Sequence, residues 1–412
     1  MVKNPVICSA FLCALLFYSG IAEVKIQNSF FTLAKKTEIT KLEGYVQSNP
    51  VKTRIRDSYK ADFCVKNVWT KNGKYSAGGT VCLFINSEIV ERYYPGKLYT
   101  GFSGSQKAFL IENGSELILD VEPFFSNKYT VSYSVEDGKF NGWHGNFIKS
   151  RFVKFRALCR LQFKRLMYAW GKAGGFLLAL LSGSREYTEE CVSEGFRNAG
   201  LSHVLALSGM HLGLFGGIAL YFGKKASTRN LADALQLAAI LFFVWFAGLS
   251  PSLFRAFLAS LILYLNSLLR MNRPDSLSLL SVCFIIHVII FSSHIFEPAF
   301  MLSYSALAGI IIFSRSIRKI IPVIIPFKLR SSLSESAAAN FSTIPVSICF
   351  FNKVIPVGII ATVIVSPLVI FFLYFGLLGI LISLLFPFLS PLFNGIMNML
   401  YLFIKNLVLF FG

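Results

Sequence analysis

From Leu201 to the end of the chain, apolar runs long enough to cross a bilayer recur with only short polar breaks between them. A spanning helix needs about 20 apolar residues. The runs 201–222, 232–249, 252–269, 277–293, 299–314, 336–351, 354–386 and 389–411 meet or approach that length. In lipid, every backbone polar group must be satisfied within the segment, so these runs predict helices. The seventh run is too long for one simple span. Pro356 and Pro367 within it and Pro387 just after it predict a broken or re-entrant segment. Composition agrees with a lipid-facing surface: 54% of the 412 residues are hydrophobic, 15% are charged and 42 are Phe. A disordered chain, an ordinary soluble enzyme and a small disulfide scaffold are excluded.

Loop charge predicts the orientation. Lys224, Lys225 and Arg229 follow the first run, Arg270 and Arg273 the third, and Arg315, Arg318, Lys319, Lys328 and Arg330 the fifth. The loops around Ser250-Pro251 and Glu297 carry no cation. The alternation places Leu201 on the outer side. It also explains much of the net charge of +19, set by 40 Lys plus Arg against 21 Asp plus Glu.

Residues 1–22 read as a membrane anchor or a signal, and either one exports the chain beyond Glu23. Residues 23–148 form a different block. Charges of both signs are frequent, and short alternating runs (63–66, 80–85, 116–120, 129–135) are separated by turn residues such as Asn72-Gly73 and Asp137-Gly138. Five or six strands in about 110 residues fit a compact barrel such as an OB-fold, with a small sandwich as the alternative. Trp69 and Trp143 are candidates for stacking bases or for the core. A hairpin centred near Gly73 would set Cys64 opposite Cys82, a candidate disulfide in an oxidising compartment. The 8 Cys include no C-x-x-C pair. Cys8, Cys13, Cys283 and Cys349 lie in apolar runs and read as packing.

Residues 149–199 open with Arg151, Lys154, Arg156, Arg160, Lys164 and Arg165 among Phe and Leu, with no acid between them. On a helix this gives a basic and an apolar side. It suits either a lipid-headgroup anchor or a surface that attracts nucleic acid.

The densest cluster of polar residues in the apolar region is GLSHVLALSGMHLGL, from Gly200 to Leu214. Gly209, Gly213 and Gly217 make a smooth ridge for a close helix neighbour. His203 and His211 are about 12 Å apart along a helix, too far to share one metal ion. Ser208 and His211 at i, i+3 could touch, but a Ser-His hydrolase also needs an orienting acid, and the nearby acids are Glu186, Glu189, Glu190 and Glu194. Polar groups inside a span otherwise mark a pathway or an interior contact. Arg255 lies near the outer end of its run, free to snorkel to headgroups or to line a polyanion path, with Glu297 a candidate partner. Ser303, Tyr304 and Ser305 put hydroxyls inside one run. His287 reads as a hydrogen-bonded core histidine, and Asn394 and Asn398 as glue between helices. No G-x-x-x-x-G-K-[ST] or G-x-S-x-G motif and no histidine-aspartate metal signature occurs.

At these residues the chain resembles the ComEC competence family. GLSHVLALSGMHLGL is similar to that family's "SHLLAISGLHVGL" stretch. Gly248–Ala256 is similar to its "G-x-x-x-S-x-x-R-A" segment and Glu297–Leu307 to its "P-x-F-x-L-S-F-x-A" segment. The Pro-containing stretch 356–368 resembles its late helix, with Thr362 where asparagine is usual. The exported β block looks like its OB-like domain, so the resemblance covers nearly the whole chain. Family members often carry a further metallo-β-lactamase-like domain, which the residues here do not include.

The expected fold is a polytopic α-helical membrane protein with an N-terminal exported all-β OB-like domain. Its parts are 1–22, 23–148, 149–199 and a multi-span core at 200–412. The resemblance implies an inner-membrane channel for single-stranded DNA during natural transformation. His203, Ser208, Gly209, His211, Arg255, Ser303 and Tyr304 would lie on the pathway. The implied partners are membrane lipids, a cytosolic ATP-driven helicase, a DNA receptor, a separate nuclease and a second copy of the chain. Neither catalysis, nor a metal, nor a cofactor is expected. A transporter of another polyanionic or lipid-linked substrate, an intramembrane hydrolase and a scaffold remain as alternatives.

Overall fold

The computed structural model describes residues 30–53, 58–95, 110–127, 130–185, 187–226, 229–248 and 250–412. The anchor or signal expected at 1–22 lies outside them. The described chain forms two compact units. One holds the strands and the chain through Leu178, together with Ser184–Tyr187. The other holds residues 179–183 and 188–412.

The first unit contains β1 (Phe31–Thr32), β2 (Ile39–Val46), β3 (Val51–Lys52), β4 (Ser58–Thr70), β5 (Gly73–Gly78), β6 (Thr80–Asn86), β7 (Ser115–Asn127) and β8 (Thr130–Trp143). Five of them close a circuit. β2 pairs antiparallel with β4, β4 with β6, β7 with β8 and β7 with β2, while β6 and β8 are parallel. Closure removes the sheet edges, and one parallel pair in a five-strand circuit is the connectivity of the OB-like barrel expected. Alternation drives it: Tyr59, Ala61, Phe63 and Val65 point inward along β4. The register then slips at Lys66, where Glu43 faces Asn67 but Gly44 faces Val65. Gly44 is needed at this bulge, since a Cβ there would overlap the Cys64 carbonyl oxygen.

The register corrects the cysteine pairing. A two-residue turn, Lys71-Asn72, joins β4 to β5, so the hairpin is centred between these two residues and not at Gly73. Cys82 lies on β6, and in the pairing of β4 with β6 Cys64 faces Thr80 and Cys82 faces Asp62. The two cysteines are diagonal neighbours and both thiols are free.

A short helix α1 (Ser87–Glu91) is capped by the Asn86 side chain, which accepts from the Glu88 N–H. Helix α2 (Phe147–Ala169) lays Ala157 and Leu161 into the barrel's core cluster. Helix α3 (Gly171–Ser182) comes next, with Phe176 to Leu180 fully buried.

The second unit is helical: α4 (Glu190–Asn198), α5 (Ser202–Leu205), α6 (Gly209–Ala226), α7 (Arg229–Ala247), α8 (Pro251–Leu268), α9 (Ser276–Ile290), α10 (Pro298–Ile320), α11 (Phe327–Phe351), α12 (Gly358–Leu385) and α13 (Ser390–Phe411). Each of the eight apolar runs corresponds to one of α6 to α13. Among the described residues, four helical segments are long and apolar enough to cross a membrane: Pro251–Leu268, Pro298–Ile320, Gly358–Leu385 and Pro387–Phe411. The chain is a membrane protein with a strand-built N-terminal region.

Two expectations change. The run 201–222 is not one helix, because it breaks at residues 206–208 between α5 and α6. The run 354–386 is not broken at depth: α12 continues through Pro367 for 28 residues. At 1.5 Å per residue that is about 42 Å, longer than a hydrocarbon core of about 30 Å, so the helix tilts or protrudes. Within α13 the Asn398 amide donates to the Asn394 backbone and side-chain oxygens. Close approach occurs at α10 and α11, where a Cβ on Gly309 would overlap the Ser342 hydroxyl oxygen.

Candidate functional site

The break at 206–208 organises the site. Ser208 stands at the N-cap of α6 and His211 three residues on. The Ser208 backbone N–H donates to His211 Nδ1 at 3.2 Å, and the Ser208 hydroxyl lies 3.3 Å from the same nitrogen. This is the side-chain half of a capping box, with histidine in the place usually held by Glu or Gln, while the His211 N–H donates to the Ser208 carbonyl. Because Nδ1 accepts a backbone N–H, the ring proton sits on Nε2. His211 is 1% exposed, and its Nε2 has no hydrogen-bond partner among the described residues. No carboxylate among them therefore orients this imidazole. Of the acids considered for that role, Glu186 lies outside the described residues. Glu189 accepts from the Tyr401 hydroxyl at 2.7 Å and from Lys405 at 2.5 Å.

Arg255, in the second turn of α8, lies beside the start of α6: a Cβ on Gly209 would be 3.5 Å from Arg255 Nη2 and 3.4 Å from the Ala256 Cβ. The guanidinium donates to the Ser303 carbonyl oxygen and stands 5.9 Å from the centre of the Tyr304 ring. Gly209, Arg255, Ser303 and Tyr304 are thus brought together, Ser303 through its backbone. No acid pairs with Arg255 among the described residues. The expected Glu297 partner is instead 3.9 Å from His294. His203, on α5, joins none of these contacts. The glycine ridge also differs from expectation. Gly213 and Gly217 have no atom within 4 Å of an added Cβ, whereas Gly216 and Gly223 are the positions packed against α7, on Ile240 and Ala232.

A polar chain that the sequence did not reveal starts at Tyr304. Its hydroxyl donates to the Cys283 carbonyl at 3.1 Å, so its oxygen accepts from His287 Nδ1 at 3.2 Å. His287 Nε2 is then the acceptor for His294 Nδ1–H at 3.1 Å. His287 is fully buried, with edge contacts to Phe254, Phe291 and Phe300. On a continuous helix the two histidines would be two turns apart. They meet because α9 stops at Ile290 and a 3-10 turn, Ser292–Phe296, folds His294 back onto His287. The pair His-x6-His across two serines was the signal that could have found them.

The basic helix is divided between two jobs. Arg160, Lys164 and Arg165 are buried, which corrects their assignment to DNA or headgroup attraction. Arg160 and Lys164 grip Glu112 at 3.1 and 2.8 Å, Lys164 donates to the Tyr94 hydroxyl at 2.9 Å, and Arg165 donates to the Tyr93 carbonyl at 2.9 Å. The acid missing from the local sequence arrives from 48 residues upstream. Burial works to raise the Glu112 carboxyl pKa; the Lys164 and Arg160 charges outweigh it and hold the group below the ordinary carboxylate value. Arg156 is half-buried. Arg151 and Lys154 remain exposed beside Phe147, Ile148, Phe152 and Phe155, so only this end of α2 offers a basic and aromatic surface. The barrel's outer face is charge-balanced: Lys66 pairs with Glu116, Lys74 with Glu43 and Lys41 with Asp120. Trp69 is covered by Lys74 at 4.6 Å, and Trp143 packs on Phe140 against the core.

The region holding these clusters, residues 180–411, matches the model of the family described as Competence protein, over more than half of the chain. The chain belongs to that family. It is 27% identical over 184 residues to ComE operon protein 3 of Bacillus subtilis (strain 168), covering 43% of this chain and 22% of that protein. It is 28% identical over 212 residues to an uncharacterized protein of Aquifex aeolicus (strain VF5), covering 51% of this chain and 48% of the relative. The chain thus matches half or less of the length of these relatives. No solved structure matches it.

Proposed function

We propose that this competence-family protein conducts single-stranded DNA across the inner membrane. The strand would meet the OB-like barrel on the outer side and pass the break that opens α6. The observation that carries the reading is the meeting of Gly209, Arg255, Ser303 and Tyr304 at that break. An arginine without an acid, next to a glycine and an aromatic face, suits a passing phosphate and base. Ionisable side chains inside a membrane bundle, often held by backbone carbonyls, mark substrate and ion pathways. The cation-bearing loops after α6, α8 and α10 would face the cytoplasm.

The passage would involve no covalent chemistry: Ser208 and His211 cap a helix, and the imidazole has no orienting acid among the described residues. Driving force would come from a cytosolic ATP-driven helicase. A DNA receptor, a separate nuclease and a second copy of the chain would complete the apparatus. The test is uptake of labelled DNA in cells carrying Arg255→Met. Uptake should fall at least about tenfold with normal protein levels in the membrane. Undiminished uptake would refute the assignment.

A further inference from the structure

Helices α6 and α8 touch at Gly209 and Ala256. The face of α6 that begins at Gly209 continues through Gly213, Gly217, Leu220 and Lys224, a spacing of three or four that keeps these residues on one side. An added Cβ at Gly213 or Gly217 would meet nothing within 4 Å. The facing side of α8 runs from Ala256 through Ser260 and Tyr264 to Ser267. At the far end of these two faces, with α7 as the third wall, lies a cavity of about 960 Å³ whose lining includes Lys224, Ser260, Tyr264, Arg270 and Arg273. That is near the top of the ~300–1,000 Å³ range of ligand sites. From Ser260 to Ser267 it extends about 10 Å along α8.

Its charge is one-sided. Lys224, Arg270 and Arg273 form no ion pair among the described residues. The acid in the wall, Asp233, already accepts from the Ser267 hydroxyl at 2.8 Å. Arg270 also sits at φ 54°, a left-handed position just past the end of α8 where glycine is the less strained choice. The Arg270 and Met271 N–H groups close that helix end on Ser267 and Asn266.

We propose that this cavity is a phosphodiester-binding vestibule. Lys224, Arg270 and Arg273 would hold successive phosphates of a single strand, and Tyr264 would lie against a base. The inference rests on the DNA-conducting reading and adds the strand's route, from the Gly209–Ala256 contact along the open glycine face. That continuous face favours an extended chain over a lipid headgroup, which would need only the mouth.

The test uses the full chain in nanodiscs of neutral lipid and a fluorescein-labelled 20-mer of deoxythymidine carrying one 4-thiothymidine. Anisotropy over a salt series is compared with the triple variant Lys224→Gln, Arg270→Gln, Arg273→Gln. Losing three phosphate contacts should shrink the slope of log affinity against log salt by about 2, at roughly 0.7 per contact for single strands. Irradiation of the unsubstituted protein should place the adduct on the tryptic peptide 256–270, which contains Tyr264. No binding by the unsubstituted protein would overturn the conducting reading itself. Binding with an unchanged slope in the variant and the adduct elsewhere would overturn the vestibule alone. So would a variant that loses a co-purified anionic phospholipid while binding the oligonucleotide as before.

Discussion

Glu112 and Arg255 pose the same physical problem, an ionised group taken out of water, and the two units of this molecule solve it differently. In the barrel unit the charge is closed on itself: Arg160, Lys164, Glu112 and the Tyr94 hydroxyl satisfy one another. In the helical unit Arg255 has a backbone carbonyl and an aromatic face and, among the described residues, no acid. His211, two residues from Gly209, keeps an unpartnered Nε2–H there as well. A closed ionic cluster leaves nothing for a ligand to do. An open one retains capacity to bind, at a cost in stability that only a function would maintain.

The contrast breaks most visibly at Glu112. Glu112→Ala leaves two buried cations uncompensated, and removing one partner of a buried pair costs about 3–5 kcal/mol. Thermal denaturation of the purified protein should show the barrel unfolding far below its normal temperature. The same carboxylate predicts acid sensitivity. Its pKa is lowered on folding, so its contribution is complete above the unfolded value of about 4.3 and is lost as pH falls through the lower folded value. Stability should be flat near neutrality and drop only below about pH 4, and Glu112→Gln should remove that part of the drop.

Arg255→Met should do the reverse. It deletes a charge that no acid compensates among the described residues, so stability should change little, by about 1 kcal/mol or less, while uptake collapses. A large loss of stability would place Arg255 with Glu112 as a structural ion and dissolve the contrast. The polar chain beside it offers an intermediate case. Tyr304→Phe leaves His287 Nδ1–H without its acceptor, which costs about 1–3 kcal/mol. His287→Leu combined with Tyr304→Phe removes both partners but takes the acceptor from His294 Nδ1–H, so it should recover only part of that loss. A double-mutant cycle measured by denaturation reads the coupling directly.

How far these clusters could be read in advance depended on sequence distance. The strand runs, the turn signal at Lys71-Asn72-Gly73 and most of the apolar runs are local patterns that survive in the structure, whereas the run 201–222 breaks at residues 206–208. Glu112 could not be matched to Arg160 and Lys164 in this way, because only closure of the barrel brings together Glu112 and Arg160, 48 residues apart. The cysteine register failed for a smaller reason: Cys82 lies on β6, beyond the hairpin strand β5, and the pairing of β6 with β4 sets Cys64 two residues away from facing it. His287 and His294 were hidden by the end of α9, since helical spacing keeps them apart and only the 3-10 turn joins them. Arg255 stood out because an arginine in an apolar run is rare whatever surrounds it, but its partners lay on α10 and could not be named.

The smallest expected effect bears on the hydrolase reading. Ser208→Ala removes the hydroxyl but leaves the Ser208 N–H bonded to His211 Nδ1, so half of the capping box survives. A lost N-cap costs about 0.5–2 kcal/mol, and the retained half should keep this variant at the low end. Uptake should be unchanged. His211→Leu removes the acceptor of the Ser208 N–H at the very point where the run breaks, so it should destabilise the bundle more than Ser208→Ala does. If the serine were a nucleophile, the order would invert: Ser208→Ala would abolish activity in a protein that melts normally. Measuring uptake and melting for both variants therefore separates a helix start that happens to contain serine and histidine from a catalytic pair.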